Sequence, residues 1–172
     1  QRQMCIRDRF SAGRQMNSHF GSRLLDEAGD WVDQVSRKNS VSGISPTAGQ
    51  MARIAGLAQA SKIYRSQKKL QSGKWKKFSD KGNEVVFGTI GDASTSEGVF
   101  WETMNTLGVL QAPAVISVWD DEYGISVPKM FQTTKESISE ALSGMQRDQS
   151  TSGVEIIKVK GWDYEDLIAT YT

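Results

Sequence analysis

Apolar positions along the chain alternate between two spacings, and the alternation itself outlines a fold. Residues 10–45 follow neither spacing: Gly, Ser, Asn and Asp dominate, which predicts loop with short elements. Pro46 then opens a helical pattern, with Ser45 as its expected N-cap. Met51, Ile54, Ala55 and Ala58 recur at helical spacing, and the small residues around them suit close packing. After a lysine-rich stretch over 67–82, "EVVFGTI" (84–90) is a short β-branched and aromatic run expected to form a buried strand. A helix is predicted from Ser96 or Glu97 to about Leu110, with Phe100, Met104, Leu107 and Gly108 on its inner face. Pro113 stops it and "AVISVW" follows as the next strand. A helix over 137–145, a strand over 154–159 and a last helix capped by Asp163 complete the pattern. Strand, helix and parallel strand in succession form a βαβ unit, so the expected class is α/β with a doubly wound, mostly parallel sheet.

Composition narrows the function classes. The 172 residues suit one domain or part of one. A net charge of +1 gives no bias toward nucleic acid or a membrane surface. The six lysines of 67–82 therefore read as a solvated connection. The longest apolar run, 112–119, is too short to span a bilayer. Cys5 is the only cysteine and His19 the only histidine, which excludes an internal disulfide and a multi-histidine zinc site and fits a reducing, cytoplasmic setting. Residues 1–9, "QRQMCIRDR", differ in character from the rest of the chain and are read as a non-native scar or a disordered arm. Residues 10–172 are then expected to form a partial domain, truncated at both ends, as the abrupt stop of the last helix at "IATYT" suggests for the C-terminal one.

Candidate chemistry sits at the strand ends. In open α/β sheets, ligands bind beyond the carboxyl ends of the strands. Asp92 follows one predicted strand and the Asp120–Asp121 pair follows the next, one crossover later. Two hard oxygen donors without nearby His or Cys point to Mg²⁺ or Ca²⁺ rather than zinc. "ASTSEG" (93–98) lies between Asp92 and a helix start, where backbone N–H groups favour phosphate. The plainer reading is that Asp92 and Asp121 serve only as turn and cap residues.

Four segments, "GRQMNSHFGS" (13–22), "ISPTAGQMARIAG" (44–56), "GDASTSEGVFWETMN" (91–105) and "DDEYGISVP" (120–128), resemble the alpha subunit or alpha region of the thiamine-diphosphate-dependent decarboxylating component of 2-oxo acid dehydrogenase complexes. "RQM…H" and "YGISVP" lean toward the branched-chain type. The resemblance implies a thiamine-diphosphate-binding fold and Mg²⁺ held by Asp92, Asp121 and the Tyr123 backbone carbonyl. It implies diphosphate contacts from Gly91, Ala93 and Ser94, and aminopyrimidine contacts from Ser45, Thr47 and Ile125. His19 would lie near the substrate channel, or serve as a structural loop histidine. Two features depart from the family pattern: Ala93 replaces a second glycine, and Asp120–Asp121 replaces Asn-Asn, which adds charge beside the diphosphate. The implied partners are a beta subunit or fused beta region, giving a heterotetramer or a dimer of fused chains, and a lipoyl acyltransferase core. The beta part would supply the glutamate that activates the cofactor, so this chain alone is expected to be inactive. The implied reaction is oxidative decarboxylation of a small 2-oxo acid with acyl transfer to a lipoyl group. The alternatives are a transketolase-like enzyme with the same cofactor and a non-catalytic Mg²⁺-dependent nucleotide-binding module; the second lacks a Gly-x-x-x-x-Gly-Lys loop.

Overall fold

The computed structural model describes residues 21–172. His19 and the arm over 1–9 lie outside the described residues.

The first helix, α1 (Met51–Ser66), starts later than expected. Residues 45–50 form turns instead, with Gly49 N–H donating to the Pro46 carbonyl and Met51 N–H to that of Ala48. Ala48 is left-handed at φ 57°, and that conformation cannot extend a right-handed helix, so the cap falls to Gln50 rather than Ser45. Met51, Ile54, Ala58 and Ser61 face inward.

Strands β1 (Val86–Gly91) and β2 (Ala114–Trp119) pair in parallel from Val86 opposite Ala114 to Gly91 opposite Trp119. Helix α2 (Gly98–Leu110) makes the crossover and buries Phe100, Thr103, Met104, Leu107 and Gly108. Gly88 admits helix α1 closely: a Cβ there would stand 2.4 Å from Ile54 Cδ1. The core is thus a βαβ unit with α1 laid against it, gathering Ile54, Ile90, Phe100, Met104 and Leu107.

The other sheet face is more open than the sequence suggests. Phe87 is 58% exposed and is met by the Tyr171 ring at 6.0 Å, while the Tyr171 hydroxyl shares a 2.7 Å hydrogen bond with Ser117. Tyr171 ends the last helix (Tyr164–Tyr171), which Asp163 caps as expected by accepting from Asp166 N–H at 3.1 Å.

Among the described residues the parallel sheet has two strands, so the α/β class is seen as a single βαβ unit and the expected doubly wound sheet is not seen there. The predicted strand over 154–159 is reduced to one parallel bridge, Gln146 to Val154, since a strand needs a neighbour along its length to close a ladder. The helix expected over 137–145 is a short turn, α3 (Ile138–Ala141), followed by a 3₁₀ turn. Between β2 and α3 lies a two-residue hairpin, β3 (Tyr123–Gly124) with β4 (Val127–Pro128). The lysine-rich stretch forms exposed 3₁₀ turns over Lys68–Gln71 and Gly73–Lys77. No helix among the described residues is long and apolar enough to cross a membrane.

Candidate metal and diphosphate site

The parallel pairing fixes the site. Asp92 N–H extends the ladder by one step, donating to the Trp119 carbonyl at 3.1 Å. That bond draws the residues after β1 and those after β2 to one rim of the sheet. Gly91, Asp92, Asp120 and Asp121 therefore meet where the sequence places them.

Asp92 is only 3% exposed, and its Oδ2 is buried without a hydrogen-bond partner. Burial raises its pKa above the ordinary 3.8; the Ala93 N–H opposes this, Asp120 and Asp121 reinforce it, and Lys129 opposes it. A buried acceptor without a donor is costly, so such an oxygen suits a cation. The Asp92 carbonyl accepts from Thr95 N–H at 3.0 Å and Thr95 Oγ1 at 2.6 Å, which fixes the 3₁₀ turn Ala93–Ser96 ahead of α2. Ser94 is half-buried in that turn.

The facing turn is exposed and tied by its own side chains. Asp120 Oδ1 accepts from Glu122 N–H at 3.1 Å and Asp121 Oδ1 from Tyr123 N–H at 3.3 Å. Asp121 itself is exposed. Glu122 and Ile125 are both left-handed, at φ 70° and 59°. Ile125 projects into solvent at 105% exposure, and Tyr123 is also exposed. The two turns touch through Ala93 and Gly124, where a Cβ on Gly124 would lie 2.6 Å from the Ala93 Cβ. The Ala93 methyl is thus accommodated by a glycine opposite.

The structure brings Gly91, Asp92, Ala93, Ser94, Asp121 and Tyr123 into one neighbourhood. Ser45 and Thr47 are exposed on the turn leading into α1, a separate segment. Among the described residues, no three His, Cys, Asp or Glu side chains converge as a metal cluster. A metal here would rest on two carboxylates, with the rest of its oxygen shell from backbone, ligand or water, as Mg²⁺ commonly does. The orphaned Asp92 Oδ2 and the all-oxygen donor set fit that ion.

Sequence reasoning passed over one residue of this rim, Lys129. Its Nζ bonds both Asp120 oxygens, at 3.0 and 2.8 Å, and stands 4.0 Å from Glu122 Oε1. The hydrogen bonds it donates to Asp120 raise its pKa above the ordinary lysine value, against its own partial burial. The available signal was a lysine shortly after an acidic pair, with a hairpin to fold it back.

Comparison with known proteins places the chain in a family. The model of the dehydrogenase E1 component family matches residues 9–170. The chain is 28% identical over 137 residues to the 2-oxoisovalerate dehydrogenase subunit alpha of Bacillus subtilis, covering 80% of this chain and 33% of that protein. It is 32% identical over 124 residues to the pyruvate dehydrogenase E1 component subunit alpha of Acholeplasma laidlawii, covering 72% of this chain and 28% of that protein. A third relative, the pyruvate dehydrogenase E1 component subunit alpha of Staphylococcus aureus, is 30% identical over 81 residues, 47% of this chain and 20% of that protein. The chain thus spans about a third or less of the length of these relatives. With a family match over nearly all of its residues, the chain belongs to the dehydrogenase E1 component family.

Proposed function

We propose that residues 10–172 form part of a thiamine-diphosphate-binding domain in an enzyme for the oxidative decarboxylation of a 2-oxo acid, with acyl transfer to a lipoyl group. The observation that carries this reading is the orphaned, buried Asp92 Oδ2 at the carboxyl end of β1, facing an acidic turn at the end of β2. When bound, thiamine diphosphate supplies the nucleophilic carbon and the electron sink for loss of carbon dioxide. This chain's residues bind and orient. Asp92 and Asp121 supply carboxylate oxygens to Mg²⁺, and the Tyr123 carbonyl a third oxygen. Gly91, Ala93 and Ser94 line the diphosphate through backbone and hydroxyl groups. Thr95 holds the Asp92 backbone in place, so the carboxylate need not reorganise on binding. Ser45, Thr47 and Ile125 are assigned to the aminopyrimidine half, and His19 to the substrate channel.

The proposed partners are a beta subunit or fused beta region, which contributes the activating glutamate, and a lipoyl acyltransferase core in the cytoplasm. A 2-oxoisovalerate-type substrate is favoured by "RQMNSHFG" and "YGISVP". The relatives carry names of both types. One or two methylenes alter specificity by only about 1–3 kcal/mol, so substrates should overlap.

The test is calorimetric titration of the intact protein with thiamine diphosphate and Mg²⁺. Asp92→Ala abolishes Mg²⁺-dependent binding, whereas Asp121→Asn retains it because the amide oxygen still coordinates. Normal binding by Asp92→Ala refutes the site. With both alpha and beta parts present, specificity constants are compared for 2-oxoisovalerate, pyruvate and 2-oxoglutarate. Activity confined to sugar phosphates would transfer the chain to a transketolase-like reaction.

A further inference from the structure

The acidic rim carries two carboxylates beyond the two assigned to the metal, Asp120 and the more exposed Glu122, and both face Lys129. Asp120 is held by both oxygens on Lys129 Nζ, at 3.0 and 2.8 Å. Lys129 is not a loose surface lysine, for its side chain is only 14% exposed. Its N–H donates to the Glu122 carbonyl at 2.8 Å, and its own carbonyl accepts from Gln132 and Thr133 N–H at 2.8 and 2.9 Å. The ammonium is thus anchored by backbone bonds on both sides, and the hairpin β3–β4 returns it to the turn it neutralises. The ion pairs among the described residues are the two made by this one lysine.

We propose that Lys129 is a positioning residue that cancels the charge of Asp120, so that a turn with two adjacent aspartates can receive an anionic diphosphate. The inference rests on the metal and diphosphate reading given above. Asp92 and Asp121 then present the rim's net charge to Mg²⁺, and Asp120 contributes geometry without repulsion. Its Oδ1 still accepts the Glu122 N–H that shapes the turn, a bond an asparagine there would keep. The acidic pair and the lysine thus form a unit electrically equivalent to one neutral residue followed by one carboxylate.

The test is a double-mutant cycle in the intact protein, read by calorimetric titration with thiamine diphosphate at saturating Mg²⁺ and low salt. Lys129→Met exposes an unpaired charge near the diphosphate and weakens binding about five- to tenfold, an effect that shrinks as KCl is raised. Lys129→Arg keeps binding. Asp120→Asn alone binds at least as tightly as wild type, since the lysine then loses its closest counter-charge and only the more exposed Glu122, at 4.0 Å, still pairs with it. The double variant, Lys129→Met with Asp120→Asn, returns to within about twofold of wild type. A merely structural clamp predicts the opposite, with both single variants weak and the double variant weak as well. Binding by Lys129→Met within twofold of wild type, or no recovery in the double variant, overturns the proposal. Should Lys129→Met fail to fold, Asp120→Asn decides, and weaker binding overturns it. Failure of the wild type to bind thiamine diphosphate removes the site reading itself, and this inference with it.

Discussion

Replacing Asp92 by Asn should make the metal-free protein more stable while weakening its hold on the cofactor. The carboxylate is 3% exposed and has one oxygen without a partner. An unsatisfied buried polar group costs about 1–3 kcal/mol, and more when charged. Asparagine keeps the shape and the acceptor facing Ala93 N–H but removes the charge, so a gain of about 1–2 kcal/mol is expected. The gain should appear as a rise in melting temperature. The pH dependence follows from the raised pKa. The folded state holds this proton more tightly than the unfolded chain, whose carboxyl titrates near 3.8. The penalty of the wild type is therefore complete above the raised value and vanishes as pH falls through it to 3.8. The advantage of Asp92→Asn should be full at neutral pH and absent at about pH 3. The assay is thermal unfolding of the intact protein in EDTA across that range, then again with Mg²⁺ and thiamine diphosphate. With ligand present the variant should gain less than wild type, because a buried charge contributes more to cation binding than a neutral amide. A lower melting temperature for Asp92→Asn in EDTA at neutral pH would refute the reasoning.

Two further outcomes test the surroundings of the site. Gly124→Ala would drive a Cβ to 2.6 Å from the Ala93 Cβ, so it should cost about 1–3 kcal/mol and lower cofactor affinity, both measurable by unfolding and calorimetry. Asp148 Oδ1 accepts from Ser150 N–H, Ser150 Oγ and Thr151 N–H, which lowers its pKa to about 2. Its contribution to stability is present above 3.8 and lost as pH falls toward 2; carboxyl-carbon NMR should show that depressed midpoint, and titration near 3.8 would refute it.

The parts legible from sequence were those decided by near neighbours. "AVISVW" became β2 at its expected bounds, and Asp163 capped the last helix, because strand composition between clear stops and a cap bond are both local. The convergence of Asp92 with the acidic pair was also legible, since a short crossover leaves a parallel pair little choice of register. What failed depended on distant or conformational detail. Ser45 and Pro46 carry a good helix-start pattern, yet Ala48 turns left-handed and delays α1 to Met51. "VEIIKV" has strand composition, but composition supplies no neighbour, and only Val154 finds a bridge. Lys129 escaped notice because its bond to Asp120 depends on a hairpin whose turn residue, Ile125, is an unusual choice for positive φ.

The unbroken β1–β2 register also determines where this chain can change length. Helix α2 turns about 100° per residue, so one inserted residue would rotate Phe100, Met104 and Leu107 away from the core. The short link to β2 offers little slack, since Gln111 Nε2 is bonded to the Gly108 carbonyl at 2.6 Å and the Gly153 carbonyl at 2.8 Å. An insertion inside either strand would turn every later side chain to the opposite face and separate Asp92 from the acidic turn. The exposed 3₁₀ turns over Lys68–Gln71 and Gly73–Lys77 precede the pairing altogether. Added residues there lengthen the approach to β1 without moving one strand past the other, so that segment is the natural place for a tag, a reporter or a lineage-specific extension.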